Sequence, residues 1–233
     1  MFKLNQIDGG SIILNIDDDL YNHFSDNNKN HALTILKQIN DLHFYDYLFT
    51  GSKNLTILDI GANIGLFSLH VLPVCSRIIA FEPTPSHYEK LLKLTKDTKI
   101  ECRQIALSDN YGEVIFNLDP YNSTMNSIVN ANSFQSIKVR CVDFEKIMKS
   151  ENLESVDFCK VDIEGSEVIA ITENTLKPIA GKIKEFFIEV HPTTSLDGMN
   201  QSQNKLKLWN IFENVGYTVT DVNFETFIAK WNK

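Results

Sequence analysis

The sequence lacks long hydrophobic runs. Its 233 residues are 43% hydrophobic, yet no apolar run approaches the roughly 18 residues that a membrane-spanning helix needs. The short apolar stretch at residues 11–16 runs into three aspartates and lacks the pattern of a signal peptide. We therefore predict a cytoplasmic protein without a membrane span.

The sequence is also poor in positive charge. Lysine and arginine total 22 against 30 aspartates and glutamates, so the formal net charge is −8 at pH 7. A surface that follows the phosphates of a nucleic acid needs clustered lysine and arginine side chains. This balance argues against a nucleic acid as partner.

Cysteine is scarce, with four residues and no C-x-x-C pair of the kind that binds zinc. Cys102, Cys141 and Cys159 lie in apolar runs typical of strands. Together with Cys75 they predict buried thiols in a reducing compartment rather than zinc ligands or disulfides.

What the sequence does contain is an alternation of strand-like and helix-like segments. The order β-α-β-α-β predicts a parallel sheet with right-handed crossovers. Its predicted elements are strands at 55–60, 77–83 and 100–107 and helices at 64–72 and 86–96.

The second half of the chain ends in a hairpin. Residues 217–223 and 226–232 are two short alternating segments close enough to pair. A parallel sheet that finishes in a hairpin has an antiparallel strand near its edge, which distinguishes methyltransferase sheets from fully parallel dinucleotide-binding sheets. The other predicted elements are a strand pair at 112–119 and 136–144, strands at 155–167 and 183–192, and helices at 143–150, 166–176 and 205–216.

The first 50 residues contain a strand at 11–16, an Asp/Asn-rich loop and a helix over 32–49. We predict that residues 1–50 form an N-terminal strand–helix extension. Residues 51–233 then form the main domain.

A glycine-containing turn lies between the first strand and the first helix of this domain. Asp59, Gly61, Asn63 and Gly65 occupy alternate positions, and glycines there let a ligand approach the backbone and the helix N-terminus. The order departs from the G-x-G-x-x-G of pyrophosphate sites. An acid two residues before the first glycine suits a cationic ligand, such as the ammonium of S-adenosylmethionine. The alternative is a turn that serves strand–helix packing alone.

Two later strand ends add candidate cofactor residues. Glu82 ends the second strand, where a carboxylate accepts the hydroxyls of a ribose in such folds. Ala106, Ser108 and Asp109 end the third, where an adenine is usually contacted. The alternative for Glu82 is an exposed acid without a ligand.

These segments together resemble the FkbM-type family of S-adenosylmethionine-dependent methyltransferases. The resemblance covers about residues 55 to 192. It implies methyl transfer to hydroxyl oxygens, often on sugars or secondary metabolites, with Asp59, Gly61, Asn63, Gly65 and Glu82 holding the cofactor. It also implies the class I methyltransferase fold, a mostly parallel seven-stranded Rossmann-like sheet with a terminal antiparallel hairpin and helices on both faces. The motifs that carry it are LDIGANIGLFS, AFEPTP, IALSD, VDF, KVDIEGSE and FIEVHP.

Charged residues also mark the next two strand ends. On a strand Lys160, Asp162 and Glu164 would share one face, and three charges are costly to bury for packing alone. Glu189 and His191 share a face one strand over. The alternatives are a salt bridge between Lys160 and an acid, and a structural histidine.

We hypothesise that His191 is the general base that removes the proton of the acceptor hydroxyl, with Asp162 orienting the hydroxyl or the imidazole. Asp162 is the alternative base if burial and Glu164 raise its pKa. Lys160 and Glu164 complete the predicted catalytic set. In a metal-assisted version, Asp162, Glu164 and Glu189 hold Mg²⁺.

Three other classes remain as alternatives: a nicotinamide-dependent oxidoreductase, a cofactor-binding module without catalysis, and a ribose methyltransferase acting on nucleic acid. The misplaced third glycine argues against the oxidoreductase, and the charged residues at 160–164 argue against a module without catalysis. The acidic balance argues against a nucleic-acid acceptor. The loops at 117–136 and 193–204 are rich in Ser, Thr and Asn, which suits a small-molecule or glycan acceptor with a hydroxyl group. The sequence is silent on oligomeric state.

Overall fold

A computed structural model describes residues 2–14, 31–41, 43, 45–118, 126–128, 135–193 and 196–232. The chain divides into two compact units, Met1–Arg103 and Gln104–Lys233. Parts of the predicted loops at 117–136 and 193–204, and the Asp/Asn-rich loop after residue 14, lie outside the described residues.

The first unit contains two hydrogen-bonded groups of strands. An antiparallel hairpin pairs β1 with β2, whereas β3, β4 and β5 pair in parallel. The elements are β1 (Phe2–Asn5), β2 (Ser11–Leu14), α1 (His31–Asn40), β3 (Leu55–Ile60), α2 (Leu66–Val71), β4 (Cys75–Phe81), α3 (Pro85–Thr95) and β5 (Ile100–Arg103), with 3₁₀ turns at Asp46–Phe49 and Leu72–Val74.

The second unit begins with a small sheet and ends with the predicted hairpin. In the small sheet β8 pairs in parallel with β6 and antiparallel with β7. The elements are β6 (Ala106–Leu107), β7 (Gly112–Leu118), β8 (Gln135–Val142), α4 (Phe144–Ser150), β9 (Phe158–Val161), α5 (Glu167–Ala170), α6 (Glu173–Leu176), β10 (Glu185–Glu189), α7 (Gln201–Val215), β11 (Thr218–Asp221) and β12 (Thr226–Lys230), with a 3₁₀ turn at Lys177–Ile179.

A seven-stranded sheet has the strand order β11-β12-β10-β9-β3-β4-β5. The final strand, β12, is antiparallel to both β10 and β11, which confirms the terminal hairpin. The last strand, β12, thus lies between β10 and β11, whereas in the dinucleotide-binding order 3-2-1-4-5-6 the last strand lies at the edge of the sheet. The class I methyltransferase fold is therefore confirmed.

Aromatic side chains fill the core of the second unit. Phe186 on β10 meets Phe144, Phe212 and Tyr217 at ring-centroid distances of 5.6, 5.1 and 5.6 Å, in edge-to-face arrangements that add to the free energy of apolar burial. Helix α7 begins at a capping box on Asn200 and ends at Gly216, whose φ of 110° is left-handed. The core thus holds β10 and α7 in place.

Four predicted elements differ clearly from the observed ones. The predicted helix at 32–49 ends at Asn40, and a separate 3₁₀ turn covers Asp46–Phe49. The predicted strand at 100–107 is two strands, because β5 pairs with β4 whereas β6 pairs with β8. The predicted strand at 155–167 ends at Val161. The predicted helix at 166–176 is interrupted where Thr172 caps a new helix with its own side chain.

The cysteines and the helices can both be compared with what the sequence predicts. The four cysteines, all within the described residues, form no disulfide. No helix among the described residues combines the length and the apolar character needed to cross a membrane.

Candidate functional site

The turn from β3 to α2 is held by its backbone. The amides of Gly61 and Ala62 both donate to the carbonyl oxygen of Phe81, at 3.0 and 2.9 Å. Asp59 at the end of β3 is fully buried, and its Oδ2 accepts a 2.6 Å hydrogen bond from Ser68 Oγ on α2. The predicted cofactor acid is therefore fixed in position by the helix that follows it.

Alternate residues of this turn have left-handed backbones, with φ of 82° at Gly61, 52° at Asn63 and 88° at Gly65. Glycine adopts this conformation without strain, and asparagine tolerates it better than most residues. At Gly65 a Cβ atom would also lie 2.5 Å from Leu91 Cδ1. The backbone conformation therefore favours glycine or asparagine at these three positions, and at Gly65 the packing against Leu91 also requires glycine.

Glu82 connects this turn to the end of β4. Its Oε2 accepts from the Asn63 amide at 2.9 Å, and its Oε1 accepts from the Thr84 amide at 2.8 Å. Burial raises the pKa of Glu82 to about 7, although the hydrogen bonds from Thr84 and Asn63 oppose the rise. A strand-end acid left exposed, the alternative interpretation, is excluded because Glu82 is 5% exposed.

The predicted adenine residues belong to the second unit. The side chain of Ala106 is buried in an apolar cluster with Phe116, Val139 and Cys141. Ser108 donates its amide to the Val142 carbonyl at 2.9 Å. Any contact of Ala106 with a ligand must therefore come mainly from its main chain, and the role of both residues stays a prediction.

Charged side chains gather beyond the ends of β9 and β10. Lys160 Nζ donates to Asp162 Oδ2 at 2.9 Å. His191 Nε2 lies 3.8 Å from Asp162 Oδ1 and 3.6 Å from Glu164 Oε2. The structure thus brings the four predicted catalytic residues together, and the Lys160–Asp162 ion pair of the alternative interpretation is also present.

Glu164 reaches this group by a route that the sequence reasoning missed. Strand β9 ends at Val161, so alternation along a strand does not place Glu164. Left-handed backbones at Glu164 (φ 55°) and Gly165 (φ 93°) turn the chain instead. The shared-face argument was wrong for Glu164, although the predicted proximity holds.

Glu167 is a member of this group that the sequence reasoning did not find. It is fully buried and accepts from the amides of Ile163 and Gly165 at 2.8 and 2.9 Å. Its Oε1 also lies 3.1 Å from His191 Nδ1. The available signal was an acid at the first position of the helix, two residues after a glycine, where it can accept hydrogen bonds from the amides of the preceding turn.

We call Lys160, Asp162, Glu164, Glu167 and His191 the acid–histidine cluster. Burial alone would lower the pKa of His191, but Glu167, Glu164 and Asp162 raise it well above 6.5. Burial raises the pKa of Glu164 to about 8. Asp162, followed by burial, raises the pKa of nearby Glu189 to about 7. These shifts favour the protonated forms of Glu164 and His191 near neutral pH.

A family model for the FkbM methyltransferase domain matches residues 59–219, more than half of the chain. The chain belongs to the FkbM methyltransferase family. The match begins at Asp59, at the glycine-containing turn, and extends past the acid–histidine cluster. The resemblance to this family that the sequence motifs carry is therefore confirmed.

Solved structures agree with this fold. The FkbM methyltransferase from Methylobacillus flagellatus is 19% identical with a TM-score of 0.52, and the match covers 77% of this chain. This chain spans only 44% of that protein's length. A magnesium protoporphyrin IX methyltransferase from Synechocystis, with bound SAH, is 10% identical with a TM-score of 0.50 over 92% of this chain and 93% of its own. Comparison with curated proteins finds no significant match.

This FkbM methyltransferase also has a candidate metal site in its acid–histidine cluster. One ligand atom each from Asp162, Glu164 and His191 lies within 4.8 Å of the others. The predicted metal set named Glu189 in place of His191. The three grouped residues offer two carboxylates and one imidazole, which are common ligands for divalent metal ions.

Proposed function

We propose that this protein is an O-methyltransferase that acts on a hydroxyl of a sugar, a glycan or a secondary metabolite. Family membership gives the reaction class, for which S-adenosylmethionine is the methyl donor. The observation that supports a hydroxyl acceptor is the acid–histidine cluster. A hydroxyl oxygen is a poor nucleophile until its proton leaves, and Asp162 in this cluster is a candidate base for that proton.

The first unit supplies most of the donor site in this proposal. Asp59 binds the ammonium of the donor directly or through water, and Glu82 accepts the ribose hydroxyls. The left-handed residues Gly61, Asn63 and Gly65 let the donor approach the backbone. Ala106 and Ser108 are the residues that we propose for the adenine. The Synechocystis relative, whose structure contains SAH, supports a nucleoside ligand on this fold.

The raised pKa of His191 argues against His191 as the base and leaves that role to Asp162. A histidine whose pKa lies well above 6.5 already carries its proton at neutral pH, and a protonated imidazole accepts no further proton. Asp162 would accept the proton of the acceptor hydroxyl, and S-adenosylmethionine, when bound, would supply the methyl group to that oxygen and depart as a neutral thioether. Lys160 and His191 hold Asp162 in position, and Glu167 fixes the ring of His191 through Nδ1.

The expected rate contributions follow from this division of roles. Alignment of the methyl group with the acceptor oxygen contributes about 7–11 kcal/mol. A positioned base contributes about 10²–10⁴-fold.

A metal-assisted O-methyltransferase is the second candidate, favoured by the grouping of Asp162, Glu164 and His191 within 4.8 Å. A divalent ion held there would lower the pKa of a bound hydroxyl. Activity that persists in excess chelator excludes this version.

The acceptor is proposed from composition and charge. A net charge of −8 disfavours nucleic acid, and Ser-, Thr- and Asn-rich loops suit hydroxylated small molecules. From the sequence we also propose that the protein is cytoplasmic and that residues 1–50 form an N-terminal extension.

The test begins with calorimetric titration of S-adenosylmethionine, with NAD as the comparison ligand. We expect binding of the first alone; binding of NAD alone would overturn the proposal. A screen of glycans and hydroxylated metabolites with a methyl-labelled donor follows. Label found on nitrogen or carbon of the product, rather than on oxygen, would refute O-methylation.

A further inference from the structure

One buried side chain beside the donor site has no role in the mechanism above. His87 lies in the first turn of α3 and is 3% exposed. Its amide donates to the Thr84 carbonyl at 3.1 Å, which fixes the start of the helix. Its Nδ1 lies 3.8 Å from Glu82 Oε1.

The surroundings of Glu82 explain why such a neighbour matters. Both carboxylate oxygens already accept backbone amides, from Asn63 and Thr84, so the orientation of the carboxylate is fixed. Its ionisation is opposed by burial and by the charge of Asp59. A protonated carboxyl would present a donor to the ribose, whereas two ribose hydroxyls need an acceptor.

We propose that His87 is a positioning residue for the methyl donor: its ring, 3.8 Å from Glu82 Oε1, keeps the fixed Glu82 carboxylate in the ionised form that accepts the ribose hydroxyls. A charged or N–H-donating imidazole at ion-pair distance favours the carboxylate form of a buried acid. The inference rests on the proposed function, because it assigns Glu82 to the ribose. Asp59 acts against His87, because its charge raises the pKa of Glu82 and so disfavours the ionised carboxylate.

The experiment measures SAH affinity by calorimetry between pH 6 and 9 for the wild type, His87→Phe and His87→Asn. We expect wild-type affinity to rise as pH increases through about 7. His87→Phe should lose about tenfold in affinity at pH 7, with the rise displaced to higher pH. His87→Asn retains an N–H donor near the position of Nδ1 and should recover most of the affinity. His43→Asn, an exposed histidine in the same unit, is the matched control and should bind as the wild type does.

A second titration uses the 2′-deoxyribose analogue of SAH. Loss of the hydroxyl should weaken wild-type binding by about tenfold and weaken His87→Phe binding much less, because Glu82 in that variant is a poorer acceptor. A purely structural role for His87 would weaken both ligands equally and leave their ratio unchanged.

Each outcome has a defined meaning. If His87→Phe keeps the wild-type affinity and pH profile, or the wild-type ratio of the two ligands, the role of His87 is refuted and the proposed function stands. If the wild type binds no SAH at any pH, the proposed function fails and the inference with it. If His87→Phe loses the far-ultraviolet circular dichroism of the wild type, His87→Leu replaces it in both titrations, with the same expected losses and the same refuting outcomes.

Discussion

The donor turn of the first unit and the acid–histidine cluster of the second are built in different ways. Backbone conformation shapes the turn: three left-handed residues at alternate positions and amides that bind one carbonyl oxygen. In the cluster, side chains of residues 160–167 converge on His191 from a different strand end, as in the 3.1 Å contact between Glu167 and His191. A local motif therefore predicts a site that is made of backbone groups. It predicts only part of a site that is made of converging side chains.

The largest expected effect tests the chemistry of the cluster. Asp162→Asn should lower kcat by about 10²–10⁴-fold while donor affinity stays within about threefold, because a base has been removed without a donor contact. Labelled-methyl turnover of an acceptor from the screen measures the first quantity and calorimetry the second. Asp157→Asn, which affects an ion pair with Lys184, serves as the control and should keep full activity. A far larger loss in His191→Asn than in Asp162→Asn would return the role of base to His191.

The next effect tests the backbone nature of the turn. Gly65→Ala should lower the free energy of unfolding by about 2–3 kcal/mol, because the new Cβ meets both a left-handed φ and the side chain of Leu91. Gly51→Ala has a φ of 75° and nothing within 4 Å of the added Cβ, so it should cost only about 1 kcal/mol. Urea denaturation measures both, and equal costs would mean that packing against Leu91 is unimportant.

A smaller effect concerns the pH dependence of stability. The folded pKa of Glu164, about 8, lies above its unfolded value of 4.5. Folding therefore retains a proton over this interval, and stability falls as pH rises through it. The raised pKa of His191 acts in the same direction, since its contribution is complete below 6.5 and is lost as pH rises through the folded pKa.

Glu164→Gln removes the loss of stability that ionisation of Glu164 causes at high pH. At pH 9 it should raise the free energy of unfolding by about 1–2 kcal/mol relative to the wild type, with no gain at pH 4. Thermal unfolding at several pH values measures this difference. Glu173→Gln, an exposed acid paired with Lys177, should show no such gain. A gain that is the same at both pH values would contradict the assigned cause.

The smallest effect distinguishes the two forms of the mechanism. If the cluster binds a divalent ion, excess Mn²⁺ should raise the melting temperature by about 2–4 °C. Glu164→Gln and His191→Gln should abolish the shift, whereas Glu189→Gln should retain it, because the grouped ligand atoms do not include Glu189. An unchanged melting temperature of the wild type would favour the metal-free form.

Local patterns predicted most of the sheet. The strand at Leu55–Ile60 matches its predicted bounds, and the hairpin of β11 and β12 was predicted from alternation and spacing. The split of 100–107 into β5 and β6 was not predicted, because their partners β4 and β8 lie in different parts of the sequence. Pairing of that kind depends on the whole fold rather than on the residues of the strand.

The sequence by itself determined the class of fold, the family, and a turn whose alternating glycines and asparagine encode a left-handed backbone, because these depend on neighbours within a few residues. Only the tertiary structure decided that Glu167 holds His191 and that His87 lies beside Glu82. It also decided that Glu164 reaches the cluster through a turn. Charge and burial around a side chain depend on every element packed against it, and those neighbours are set by folding.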